Sequence, residues 1–209
     1  MTDAVKSKHF SDPVDLNTIE YDCWHMLRAA VHDRSCGWRL PVLATCSNGE
    51  VRQRTVVLRK VERSARRILV HTDLRSPKLK SINNNPDVSW LFYDAVCQVQ
   101  LQLTGLATVH TDDKIAEQLW QHETESSLRG YLAPYVPGTV RSVPESNLPD
   151  DMRQRIPQRD QLSAARENFA VISGAVKIAD WLLLRPDGNL RARFTYEDGS
   201  VSSGNWLAP

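Results

Sequence analysis

The sequence holds no Gly-rich phosphate loop, no HExxH and no GxSxG. A Rossmann dinucleotide site or a hydrolase elbow therefore has no residues to rest on. Cysteine is sparse, and Cys23, Cys36, Cys46 and Cys97 include no CxxC pair. Cys46 and Cys97 fall in strand-like runs and read as small core residues. Long apolar runs are missing too. The most apolar stretch, Phe169 to Leu184, is interrupted by Lys177 and Asp180, and the first residues carry no apolar leader. Neither a membrane span nor a secretion signal is expected. Charge of one sign is not in excess either, since 26 basic against 25 acidic residues leave a net charge of +1. No global field recruits nucleic acid or an anionic membrane, so any anion site has to be local. These absences describe a cytoplasmic protein with reduced thiols and with no membrane or nucleic-acid partner. His25 and His32 stand seven apart in a helical pattern, about 10 Å along the axis and too far to share a metal ion. No metal site is expected, and no nucleophile–base pair stands out.

What is present is an ordinary globular composition, 41% hydrophobic and 24% charged, with 209 residues to build a sizeable core. One domain over 1–209 is expected, with residues 1–15 as a flexible polar tail. Asn17 with Glu20 resembles a capping box, and Ile19, Cys23, Met26, Leu27 and Ala30 recur at helical spacing. The pattern predicts an amphipathic helix over 18–33. After Pro41 the period becomes strand-like. "PVLATCSNGEVRQRTVVLRKV" reads as two strands joined by Ser47-Asn48-Gly49-Glu50, because Asn-Gly supplies the positive φ of a tight hairpin turn. "RRILVHTDL" is a third strand, Ser76-Pro77 opens a short helix, and "DVSWLFYD" is a fourth strand. In "QVQLQLTGLATVH", Val99, Leu101 and Leu103 alternate with Gln98, Gln100 and Gln102, giving one apolar and one amide face. Thr111 caps a helix running to Gln121, and 161–168 is helical. Residues 123–160 show no period and form a long loop region, a length that marks function or mobility. Strand-like runs follow at 169–178, 180–185, 190–196 and 200–206. The tally, about seven short strands with three or four helices, is mainly β with α additions: an antiparallel barrel.

The stretch "RQRTVVLRK" sets a puzzle. Its centre is strand-prone, yet Arg52, Arg54, Arg59 and Lys60 bracket it. Cations of this kind protect exposed sheet edges, and they also grip anions. Arg54 and Arg59 differ by an odd number and face opposite sides of a regular strand, so one shared ligand would require a bulge or a second subunit.

"QRTVVLRK", "HTDLRSPKLKSINNNPDVSWLFYD", "QVQLQLTG", "RARFTY" and the final "WLAP", in this order and spacing, resemble the pyridoxamine 5′-phosphate oxidase family of FMN-binding split barrels. The resemblance covers 41–110 well and 169–209 moderately. It implies an antiparallel split β-barrel, a homodimer with FMN at the subunit interface, and an FMN-dependent oxidoreductase acting on a small molecule. It implies that Arg54 grips the FMN phosphate and that Thr55, Val56, Val57 and Leu58 offer backbone groups to the flavin. Arg59 is then a cation near flavin or substrate, and Thr72, with His71 beside it, lies along the cofactor. Ser76 and Lys78 join the phosphate site at a helix N-terminus, Gln100 bonds the ring, and Arg193 is supplied by the partner subunit. The departures fall at the FMN site, at Pro77 and Leu183, and at the substrate site, at Asn189-Leu190-Arg191. Pro77 takes the place of a phosphate-binding Arg, with Arg75 close by as a substitute. Asn189-Leu190-Arg191 replaces the family's Arg-x-His, which leaves Arg191 as a candidate substrate residue. The family's Trp falls on Leu183, with Trp181 two positions away. The sequence therefore predicts an FMN site with an altered substrate site, rather than an authentic pyridoxamine 5′-phosphate oxidase. A flavin carrier or sensor without turnover is the alternative. An OB-like barrel stacking single-stranded nucleic acid on Trp90, Phe92 and Tyr93 is opposed by the neutral net charge.

Overall fold

The structure is a computed structural model and describes residues 15–209. The expected tail over 1–15 lies outside the described residues except for Asp15. That residue is the N-cap of helix α1 (Leu16–Ala30), its carboxylate accepting from the Thr18 N–H at 2.9 Å and the Thr18 hydroxyl at 2.7 Å. An Asp caps as well as an Asn and stands two positions earlier, so the helix starts before the expected Asn17–Glu20 box. Glu20 is buried instead, ion-paired to Arg66 at 2.7 Å.

Nine strands form one antiparallel sheet: β1 (Val42–Ser47), β2 (Glu50–Thr55), β3 (Leu58–Glu62), β4 (Arg67–Asp73), β5 (Asp87–Asp94), β6 (Val99–His110), β7 (Phe169–Leu183), β8 (Leu190–Glu197) and β9 (Ser200–Leu207). The Asn48-Gly49 turn has φ of 53° and 79° and pairs Ser47 with Glu50, as the turn chemistry demands. Along the main path the order is β2-β1-β5-β6-β7-β4-β3, with β8 and β9 added beside β7. The two ends of that path, β2 and β3, are joined by only Val56 and Val57, which lie outside both ladders. The barrel is therefore split where the chain itself crosses from one edge to the other. "RQRTVVLRK" is two edge strands and their junction, not one strand.

Inward-facing residues of β1, β5, β6 and β7, including Leu43, Trp90, Leu103 and Trp181, form the barrel core, and α1 packs Trp24 and Leu27 into it. Trp90 reaches across to Gly174, where a Cβ would stand 2.1 Å from the indole ring, so the bare backbone at this position is what admits the Trp. The 169–178 and 180–185 runs prove to be one strand. Lys177 is an extra residue where the β6–β7 register shifts, a bulge that bends β7 without ending it.

Helix α2 (Pro77–Asn84) follows β4, and α3 (Lys114–His122) follows β6. The cap of α3 is Asp113, whose carboxylate accepts the Ile115 and Ala116 N–H groups at 3.0 Å, rather than Thr111. Residues 123–160 contain α4 (Glu125–Leu128) and short 3-10 turns, and α5 (Ser163–Glu167) precedes β7. Together with α3 they cover the outer face of β4 and β7. Leu69, Phe169 and Val171 pack there against Trp120, Leu128 and Leu162 in a second, smaller core. No described helix is long and apolar enough to cross a membrane.

Candidate functional site

Strand β4 divides two cationic clusters. On its inner face Ile68 and Val70 join the barrel core, and Thr72 continues that face to the mouth. On its outer face Leu69 and His71 meet the second core.

The inner cluster grows from hairpin register. Val42 opposite Thr55 puts Arg54 opposite Leu43, on the inward side next to Thr45. Arg54 Nη1 donates to the Thr45 hydroxyl at 2.9 Å and the Leu43 carbonyl at 3.2 Å. Lys78, in the first turn of α2, donates from Nζ to the Thr72 hydroxyl at 2.8 Å and the Ser76 hydroxyl at 2.7 Å. Burial lowers the Lys78 pKa first, the charge of Arg54 lowers it further, and the carboxylate of Asp73 acts in the opposite direction. Among the described residues no carboxylate stands within ion-pair distance of either. Two half-buried cations facing hydroxyl groups at a helix N-terminus are suited to a phosphate dianion. Ser76 receives Lys78 instead of capping α2, and Pro77 withholds one N–H at N1. Arg75 does not replace it. Its guanidinium is bidentate on Asp73, at 3.0 and 2.7 Å, and also bonds the Ala133 carbonyl.

The outer cluster begins at the other end of the same stretch. Leu58 enters the core, Arg59 points away from it, and a register shift separates Leu58 from Lys60. Arg59 Nη1 lies 3.1 Å from Glu123 Oε2, and His71 Nδ1 lies 3.3 Å from the same oxygen. The Thr124 N–H donates to the other carboxylate oxygen at 3.0 Å. Burial alone would raise the Glu123 carboxyl, but the His71 bond, the Thr124 N–H and the Arg59 charge outweigh it and bring it down to about 2. Burial lowers His71, so its imidazole is neutral near pH 7 and donates from Nδ1. Phe169 holds the ring edge-on at 4.9 Å, with Tyr131 and Trp120 packed around it. Burial pushes the Tyr131 phenol up, so it too is neutral.

A third group lies on the outer face of β7 and β8. Asp180 takes Arg191 in a bidentate pair, at 2.8 and 3.0 Å, and also Arg193 at 2.7 and 3.0 Å. Burial would raise the Asp180 carboxyl, but the two guanidinium groups hold it below its usual range. Gln100 belongs to this side, opposite Leu182 on β7 and Tyr93 on β5. Trp181 and Leu183 both point into the core, so the Trp181 ring is not presented to a ligand on that face.

One chain thus brings Arg54, Thr72, Ser76 and Lys78 together, and separately joins Arg59 to His71. Gln100, Arg191 and Arg193 stand elsewhere. Thr72 pairs with Ala170 and Gln100 with Leu182, twelve residues apart on β7, or about 40 Å of strand contour.

Residues 37–177 match the family model of pyridoxamine 5′-phosphate oxidase, which is most of the chain. The chain belongs to this family. A pyridoxamine 5′-phosphate oxidase-related, FMN binding protein from Nostoc punctiforme PCC 73102 has a similar structure, with a TM-score of 0.65 and 23% identity over 92% of this chain and 96% of that one. PhzG from Burkholderia lata 383, solved in complex with tetrahydrophenazine-1-carboxylic acid, superposes with a TM-score of 0.63 at 14% identity, covering 97% of this chain and 96% of its own. A protein related to general stress protein 26 from Clostridium acetobutylicum gives a TM-score of 0.56 and 12% identity, over 90% of this chain and all of that one. At these identities the structures establish the shared fold. No curated protein sequence matches the chain.

Sequence reasoning missed Thr45, Glu123, Tyr131 and Asp180. Thr45 was readable, because the Asn48-Gly49 turn sets the register that places Leu43 against Arg54. Asp180 showed only as a charge interrupting an apolar run. Glu123 and Tyr131 lie in the aperiodic segment, where no pattern announces which surface they meet.

Proposed function

We propose that this oxidase-family protein binds FMN and works as an FMN-dependent oxidoreductase on a small molecule. The observation that carries the reading is the inner cluster, two cations and three hydroxyls with no carboxylate in ion-pair contact among the described residues. Arg54 and Lys78 would hold the phosphate, with Thr72 and Ser76 as hydroxyl partners. Thr55 to Leu58 run beside the site, and the junction Val56–Val57 lies outside both ladders, with the Val56 N–H already given to the Pro41 carbonyl at 2.9 Å, so a ledge for the ring would use the remaining backbone groups. When bound, the flavin supplies a two-electron acceptor, so the protein needs no nucleophile of its own. The chain's part is to bind and orient, and to exclude water.

The reading includes a homodimer. Gln100 and Arg193 lie far along the ladder from Arg54 and Lys78, and two copies would join a phosphate half-site from one to a Gln–Arg half-site from the other. The free thiols of Cys23 and Cys46 fit a reducing, cytoplasmic setting. The burial of His71 and Glu123 favours one second reading, a flavin carrier that does not turn over.

Titration of the purified protein with FMN, followed by flavin fluorescence, tests the proposal. Saturable binding at one FMN per chain is expected, and no uptake would overturn it. Reduction by an amine or nicotinamide donor, with reoxidation by oxygen, separates the enzyme from the carrier.

A further inference from the structure

The cations of this chain divide by partner, and the division has a chemical meaning. Those proposed for the cofactor phosphate, Arg54 and Lys78, face hydroxyls and a carbonyl. Those that the family resemblance assigns to the substrate, Arg59 and Arg191, are already engaged by carboxylates of the same chain. Glu123 holds Arg59 at 3.1 Å, and Asp180 holds Arg191 bidentately at 2.8 and 3.0 Å. Both carboxylates are largely buried, with side-chain exposures of 12%.

We propose that Glu123 and Asp180 occupy the anion positions of the substrate region, so that the protein takes a substrate without a phosphate group, a neutral molecule or an amine. This rests on the FMN-dependent oxidoreductase reading above and on the substrate roles that the family resemblance implies for Arg59 and Arg191. A phosphorylated ligand could bind Arg59 only by displacing Glu123. That carboxylate has three anchors. His71 Nδ1 shares its Oε2, the Thr124 N–H holds its Oε1, and Arg159 fixes the local backbone through the Glu123 and Trp120 carbonyls. A carboxylate bonded to buried donors is not exchanged for an incoming anion without leaving those donors unpaired. At the third group Asp180 cancels one of two charges, and Arg191, whose fork lies flat on both carboxylate oxygens, is the one fully spent. Arg193 meets only the oxygen that is shared, which leaves the residual charge for the cofactor side.

The test compares pyridoxamine with pyridoxamine 5′-phosphate by calorimetry on the FMN-saturated protein. The wild type is expected to bind the two with affinities within about threefold. Glu123→Gln keeps shape and frees Arg59, and it is expected to bind the phosphorylated probe about tenfold more tightly, with pyridoxamine unchanged. Adding Arg59→Met should abolish the gain. Asp180→Asn, with Arg191→Met as its control, gives an independent arm should Glu123→Gln fold poorly. A wild-type preference for the phosphate of tenfold or more that disappears in Arg59→Met or Arg191→Met overturns the proposal, as does a folded Glu123→Gln or Asp180→Asn protein that gains nothing. If the protein takes up no FMN, the flavin reading falls, while the comparison stands: Arg54 and Lys78 are the same in every variant, so the difference between variants still reports on Arg59 or Arg191.

Discussion

Arg54 and Arg59 sit in the same nine-residue stretch, Arg52 to Lys60, and end in opposite conditions. Arg54 is in a cluster that is short of negative charge. Arg59 is in one that is already balanced, beneath aromatic packing. They lie in two edge strands, β2 and β3, and face opposite sides, and what each face meets decides the rest. The inner mouth is roofed by α2, whose N-terminus brings another cation. The outer face is roofed by α3, α4 and the 123–160 segment, which bring a carboxylate. A cluster that lacks a counter-charge is built to receive one, whereas a balanced cluster is built to hold its own parts together.

Phe169→Ala tests the structural role of the outer region most severely. Removing the ring on which His71, Trp120 and Tyr131 pack should cost about 3–4 kcal/mol, seen as a large drop in the denaturation midpoint. FMN affinity should fall far less than in the inner-cluster variants, and an equal loss would erase the distinction between the two faces. Arg54→Ala is the complementary cut. It should weaken FMN binding about 100-fold by fluorescence titration while leaving the melting temperature nearly unchanged, and unaltered affinity would remove Arg54 from the phosphate site.

The acid limb of stability sharpens the contrast. Glu123 titrates near 2 in the folded chain against an ordinary 4.5. Its contribution is therefore whole above about pH 4.5 and drains away as pH falls towards 2. With solvent screening this is worth about 2 kcal/mol, so Glu123→Gln should flatten stability across that window in denaturant titrations at several pH values. The smallest effect belongs to Lys78. Burial and Arg54 lower its pKa, and the protonated form binds the dianion. FMN affinity should then decline as pH rises through that lowered pKa. Lys78→Met should cost about tenfold at neutral pH and remove the decline.

Much of this was legible before the fold was known. The Asn48-Gly49 hairpin, the strand alternation in β6 and the Ser76-Pro77 helix start are local rules that the structure keeps. The short motifs carried the family and the membership of the inner cluster. Helix starts were less secure where two caps compete, as Asp15 prevailed over Asn17 and Asp113 over Thr111. The joined strand β7 escaped notice because the bulge at Lys177 shifts the inward alternation from Val176 to Ala179, so one strand reads as two runs out of phase. Arg75, a plausible stand-in beside Pro77, was captured by Asp73 two residues away, a pairing that the order of residues permits but does not impose.

By itself the sequence determined where most of the barrel strands lie, the Asn48-Gly49 turn and the cationic character of the stretch around Val56, since each depends on residues close along the chain. The tertiary structure alone decided which cations remain available. Glu123 is sixty-four residues from Arg59 in the chain and 3.1 Å from it in space. No local period or propensity encodes such a meeting. It follows from burying the outer face of β4, which draws an aperiodic segment onto the strand and, with it, one carboxylate onto Arg59.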